Sequence, residues 1–341
     1  MNGIQKIQAL FNHQKTPIPW LEIAVDEAVI LRTIGKPLPP QYLESIKPID
    51  VSWADKVDFA QKIGLDALGL YHWEAFGSTE DDSQPVLTRV PHILEWEDLP
   101  KLDIPRYSFD ELHAPVQEAY AVTREAGLGL FVEFAVCLEY AVSDLGFENL
   151  CMKLYTDSNL VMEVLERYTE YTLHLIEHYN RMPEIDFIWI GDDLAYKNGP
   201  FISPQMYEEY VFPHIRRATA AITKPWVFHS DGNILSLIDE IVSWGPKAIH
   251  PIEPAAMDIF NVGQRYGETI GLIGNLDVDL LTRASREDVV SQTQKLLEFF
   301  GERGGYAFSS GNALARFINQ ENLVAVSETI RKYNERFVVA A

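Results

Sequence analysis

The chain has 341 residues, 47% hydrophobic and 23% charged, a soluble globular balance with room for one large domain or two ordinary ones. A net charge of −22 excludes an electrostatic match to nucleic acid or to an anionic membrane surface. Two cysteines, Cys137 and Cys151, make no disulfide framework, residues 1–7 lack a signal-peptide core, and no apolar run approaches the ~20 residues of a membrane span, so a cytoplasmic protein is expected.

Residues 2–12 carry Ile4, Ile7, Leu10 and Phe11 on one helical face. Thr16-Pro17-Ile18-Pro19 leads into a first predicted strand at 20–24. A helix is expected over 53–63, stopped by Gly64, and a second strand over 66–71. Residues 76–113 hold four prolines and an acidic run, and read as an irregular insert: a lid, a small subdomain or a solvated decoration. A regular alternation then begins. Helices at 114–125, 138–153, 158–180, 203–221, 235–244, 257–266, 285–300 and 320–337 separate strands at 129–134, 187–190, 225–229, 248–252, 269–274 and 306–309.

The late strands are short and apolar on both faces, as parallel strands covered on both sides must be. Eight strand–helix units point to an α/β chain folded as one (β/α)8 TIM barrel over 1–341, with a short N-terminal helical extension. The rival, an open doubly wound sheet, calls for a glycine-rich phosphate loop after an early strand, and the sequence has none.

In such a barrel the chemistry sits at the C-terminal strand ends. Those positions hold Glu22 and Asp26, then His72, Trp73 and Glu74, then Glu133, then Asp192 and Asp193, then His229 and Asp231, then Glu253, then Asn275 and Asp277, then Ser309, Ser310 and Asn312. Acids crowded into one cavity must be protonated or offset by a cation. His229-Ser230-Asp231 is the best ligand pair, since residues two apart on an extended segment point the same way. An imidazole with carboxylates suits Zn²⁺ or another divalent metal. A metal-free acid–base pair, or Asp231 as a helix cap, are the alternatives. Asp192 and Asp193 face opposite ways, so one enters the pocket and the other serves backbone donors. His250 reads as an isolated histidine.

The motifs Gly191-Asp192-Asp193, Gly199-Pro200-Phe201-Ile202-Ser203-Pro204, His229-Ser230-Asp231-Gly232-Asn233, Gly274-Asn275-Leu276-Asp277 and Ser309-Ser310-Gly311-Asn312 occur in an order that resembles the uroporphyrinogen decarboxylase superfamily. The resemblance implies a (β/α)8 barrel and one of two activities. One branch decarboxylates uroporphyrinogen III to coproporphyrinogen III. The other comprises zinc-dependent methyltransferases working with methylcobalamin or a corrinoid protein. The decarboxylases carry an arginine-rich N-terminal motif and a Phe-Ser-Asp pattern. Here the first 50 residues hold only Arg32, and Tyr71-His72-Trp73-Glu74 stands at the second place. The methyltransferases bind zinc through His-x-Cys and a later Cys. The matching positions here are His229, Asp231 and Ser310 or Asn312, so oxygen groups replace the thiolates.

These readings favour the methyltransferase-like branch: metal-assisted methyl transfer from a small methylated substrate to a corrinoid or cobalamin acceptor carried by a separate protein. His229, Asp231, Glu253 and Asn312 are the expected metal residues. Asp193, Glu133 and Glu74 are the expected acids or bases, and Tyr71, His72, Trp73, Trp189, Asn275, Asp277 and Arg316 the expected substrate contacts. The alternatives are a metal-free decarboxylase in porphyrin metabolism and a non-catalytic binding barrel whose strand-end acids pair with Arg89, Lys197 and Arg316. No nucleic-acid or membrane partner is expected, and a homodimer is left open.

Overall fold

Seven short parallel strands organise the computed structural model, which describes residues 1–39, 50–72 and 91–337. They are β1 (Ala67–Tyr71), β2 (Gly129–Ala135), β3 (Phe187–Gly191), β4 (Trp226–His229), β5 (Ala248–His250), β6 (Gly271–Ile273) and β7 (Tyr306–Ala307). Each pairs with the next in sequence, and helices lie between them. The sheet curls into a TIM-barrel-like α/β fold.

The segment expected to be the first strand, 20–24, is not a continuous strand. It makes single parallel bridges, Trp20 to Phe308 and Val25 to Leu314. Yet it joins the two sheet edges. Leu21 N–H donates to Phe308 O and Phe308 N–H to Pro19 O, while Asp66 N–H donates to Trp20 O. Pro17 and Pro19 lack the amide hydrogens that a full ladder needs.

Strand alternation sorts side chains into two cores. Phe131, Phe187, Trp189, Val227, Ala248, Ile273 and Ala307 point into the barrel. The other face of each strand packs against the helices. The helix Gly3–Phe11 closes the N-terminal end of the barrel. Its start is fixed by an Asn2–Gln5 capping box, and Ile7, Leu10 and Phe11 enter the interior cluster. Burying each of those side chains contributes on the order of 1.5–3 kcal/mol.

The same two-residue period then places Glu133, His229 and His250 on the interior face, one layer nearer the C-terminal end. Their registers agree: Gly191 lies opposite His229, and His229 opposite His250. The site is therefore built on rigid strand ends rather than on loops alone.

Several expected boundaries move. The irregular insert expected over 76–113 ends earlier, because a helix begins at Phe109 rather than at 114. A reciprocal Ser108–Glu111 capping box sets that start, and Pro115 is held within the helix. The part of the insert before residue 91 lies outside the described residues. The described remainder holds a 3-10 turn, Trp96–Lys101, and is tied down where the His92 and Ile93 amides donate to Asp144 O. The helix expected over 235–244 shortens to Ile238–Ser243. The one expected over 203–221 contains a π turn, Tyr207–Val211, just before Pro213 removes an amide donor. Among the described residues no helix is long and apolar enough to cross a membrane.

Candidate metal centre

β4 ends at His229, and the chain then turns sharply through Gly232. Gly232 has φ +80, and a Cβ there would fall 2.1 Å from Ala195 O, so only glycine fits without rearrangement. The turn is held from three sides. Leu194 N–H donates to Ser230 Oγ at 2.9 Å, Asp231 N–H to Asp193 Oδ1 at 2.7 Å, and Gly232 N–H to Glu253 Oε2 at 2.8 Å.

This arrangement brings three ligand atoms together. His229 Nε2 lies 3.8 Å from Asp193 Oδ1 and 4.0 Å from Asp231 Oδ1, and all three lie within 4.8 Å of one another. The separations slightly exceed the roughly 3.4 Å edge of a tetrahedral zinc site with ~2.0–2.1 Å bonds. A small inward movement of the two carboxylates would close it. Asp231 Oδ1 is buried without a hydrogen-bond partner, so a cation would satisfy an otherwise orphaned oxygen. The residues thus fit a divalent metal.

The neighbouring aspartates divide as strand alternation requires. Asp192 is fully buried and accepts the amides of Cys137, Leu138 and Glu139 at 3.0, 3.1 and 2.9 Å, capping the helix Leu138–Leu145. Burial nevertheless raises its pKa to about 6. Asp193 enters the site as the third ligand candidate, in place of the expected Glu253 and Asn312. Glu253 braces the turn, and the Asn312 amide donates to Asp231 Oδ2.

The electrostatics suit a cation. Burial holds His229 below its usual pKa, which keeps a neutral imidazole available as a ligand. Asp231 is pushed upward by burial, then by Asp193 and Glu253. Glu139, in the first turn of the helix Leu138–Leu145, is also raised, by burial and then by Asp193, Asp192, Glu133 and Asp231. No lysine or arginine forms an ion pair with Asp193, Asp231, Glu139 or Glu253 among the described residues. The paired-acid arrangement expected of a non-catalytic barrel is therefore missing there.

The other predicted residues separate. Trp73, Glu74 and Arg89 lie outside the described residues. Glu133 is buried on β2, opposite Tyr71 and Trp189 in the two ladders. Tyr71 is exposed at the end of β1, and the His72 ring packs against Tyr107 and Tyr179. Trp189, an expected substrate contact, is fully buried in the barrel interior, edge-on to His250 at 5.0 Å between centroids. Asn275 donates to Ile252 O, and Asp277 caps the helix Val278–Arg283. Both line a cleft of about 540 Å³, with Pro254, Met257 and Leu280, to which the triad does not contribute. Arg316 pairs with Asp26 at 3.2 Å.

Sequence reasoning missed Glu139 and His250. Glu139 opens a helix directly after a strand end, which is the signal that could have found it. His250 carried a visible signal too, since it ends β5 on the same interior face as His229.

The family model for uroporphyrinogen decarboxylase matches residues 71–333. A curated relative of that name from Anaeromyxobacter dehalogenans is 25% identical over 263 residues, covering 73% of this chain and 70% of its own. Another from Dechloromonas aromatica is 27% identical over 145 residues, covering 40% and 39%. In that alignment the chain spans about two fifths of the relative's length. A solved methyltransferase from Methanosarcina mazei superposes with a TM-score of 0.73 at 17% identity, covering 98% of this chain and 99% of that one.

Proposed function

The chain belongs to the uroporphyrinogen decarboxylase family, a family of enzymes, and from that premise we propose that it is a metal-assisted methyltransferase. The observation that carries the reading is the Asp193–His229–Asp231 cluster with the orphaned Asp231 oxygen. The barrel fold that the chain shares over nearly its whole length with a solved methyltransferase is compatible with it.

When bound, a divalent metal would supply Lewis acidity toward the heteroatom that carries the methyl group. His229, Asp193 and Asp231 would hold it, and Asn312 and Glu253 would keep Asp231 and its turn in place. Glu139, pushed toward its protonated form by burial and then by its acidic neighbours, would donate a proton to the departing heteroatom as the methyl group passes to the acceptor's nucleophilic centre. The balance is a methyl group and a proton exchanged at one heteroatom. A corrinoid carried by a separate protein fits the acceptor role.

A second reading, decarboxylation, is favoured by the names of the curated relatives. Its usual substrate, uroporphyrinogen, carries eight carboxylates, and among the described residues no lysine or arginine pairs with Asp193, Asp231, Glu139 or Glu253 to give the site a basic group for them. Two measurements decide. Metal analysis of protein purified without added metal should find near-stoichiometric metal in wild type and its loss in His229→Ala. Methyl transfer to reduced cobalamin should be detectable with methylated ethers, amines or thioethers, whereas CO2 release from uroporphyrinogen would replace this reading with the second.

A further inference from the structure

Behind the site-facing nitrogen of His229 runs a buried chain of hydrogen bonds. His229 Nδ1 lies 2.8 Å from His250 Nδ1. His250 Nε2 lies 3.3 Å from Ser309 Oγ, and Ser309 Oγ lies 3.3 Å from Glu22 Oε2. Glu22 is also bound by Trp20 Nε1 at 2.7 Å and the Ser310 amide at 2.9 Å, both on Oε1, and by Ser310 Oγ at 2.6 Å on Oε2. None of His229, His250, Ser309, Ser310 and Glu22 is more than 7% exposed.

The donor chemistry fixes the direction of this chain. Two neutral imidazoles sharing an Nδ1–Nδ1 contact hold one hydrogen between them. Glu22 Oε1 faces two N–H groups, which can only donate. Glu22 Oε2 faces two hydroxyls, which can donate or accept. With Glu22 ionised, both hydroxyls donate to Oε2. Ser309 then offers its lone pair to His250 Nε2–H, and His250 Nδ1 is left to accept. His229 must carry its hydrogen on Nδ1, so its Nε2 is bare toward Asp193 and Asp231. A hydrogen on Glu22 Oε2, donated to Ser309 Oγ, reverses each bond from Ser309 to His229 and leaves His229 with hydrogen on Nε2, while Ser310 still donates to the remaining lone pair of Oε2.

We propose that Glu22, Ser309 and His250 are positioning residues that set the tautomer of His229, so that the charge on Glu22 decides whether the Nε2 lone pair is available to the site. The relay is a property of this chain alone; only its use, presenting a ligand to a metal, rests on the reading given above. Burial brings Glu22 to about 7, which puts both directions within reach near neutrality. The titratable groups that sense it are His250, through Ser309, and Tyr71. Ligand histidines are commonly oriented by a partner on the second nitrogen, and losing such a partner typically costs ~10–100-fold in metal affinity.

The test is ¹⁵N NMR of histidine-labelled, metal-free full-length protein at alkaline pH, with His229 assigned by its loss in His229→Gln. In wild type His229 should be the Nδ1–H tautomer. In Glu22→Gln the amide oxygen must take the Oε1 place, opposite two N–H donors. Its NH₂ group then faces the hydroxyls, and His229 should switch to Nε2–H. Ser309→Ala, which removes one small hydroxyl, should give a mixture of tautomers. An Nε2–H tautomer in wild type, or the same His229 tautomer in wild type and both variants, overturns the proposal. Should Glu22→Gln fail to fold, Ser309→Ala decides alone: a mixture supports the relay and an unchanged single tautomer overturns it. Zinc competition titration separates the two readings. The relay predicts at least about tenfold weaker zinc binding in Glu22→Gln. A tautomer switch in Glu22→Gln, together with a wild-type protein that binds no zinc, upholds the relay and removes the metal reading.

Discussion

Asp193 Oδ1 faces His229 Nε2 across 3.8 Å and, with the same oxygen, accepts the Asp231 backbone amide at 2.7 Å. One atom thus fixes the turn that carries Asp231 and offers a ligand to the space between them. Asp193→Asn retains an amide acceptor for the turn but loses the negative charge. Metal affinity should fall by more than the ~10–100-fold typical of an outer-shell loss. Stability of the metal-free protein should hold or rise, because the charge repelling Asp231 is gone. Zinc competition and chelator-treated thermal melts measure the two quantities, and unchanged affinity would remove Asp193 from the ligand set.

Asn312 lies at the exposed rim and donates to Asp231 Oδ2. In Asn312→Ala the carboxylate loses this anchor, and metal binding should weaken about tenfold. Being exposed, the substitution should change unfolding free energy by less than about 0.5 kcal/mol. A large loss of stability with intact metal binding would contradict the assignment.

Folding raises Glu22 from 4.5 to about 7, chiefly through burial. Between those values the folded chain keeps a proton that the unfolded chain has released. The contribution is therefore fully present below about 4.5, declines as pH rises, and is lost above about 7. The change amounts to as much as about 3 kcal/mol. Urea unfolding across this window should show wild type losing stability toward neutral pH and Glu22→Gln losing less. Parallel pH profiles would show that Glu22 does not titrate there.

Gly232→Ala would press a Cβ into Ala195 O at a backbone angle that L residues rarely adopt. It should cost about 2 kcal/mol or more in urea unfolding. Displacing the turn should also weaken metal binding, since Asp231 and the amide held by Glu253 move with it.

The alternation of strands and helices was readable because each repeats a local period, two residues or 3.6, that needs no distant partner. The first segment broke the pattern where Pro17 and Pro19 removed ladder donors, and its place was recoverable only from the two edges it joins. Gly64 marked its helix stop plainly, whereas the helix start at Phe109 depended on a capping box hidden within the proline-rich insert.

The sequence by itself determined the barrel class, the acidic character of the strand ends, and the common direction of His229 and Asp231. These are consequences of spacing along one strand. It also required Asp192 and Asp193 to part, but could not say which would turn inward. Tertiary structure decided that, together with the burial of Trp189, the approach of Glu139, and the line from His229 through His250 and Ser309 to Glu22. The physical reason is that sheet curvature and register bring side chains from opposite ends of the chain within hydrogen-bonding distance, and no local periodicity encodes which of them will meet.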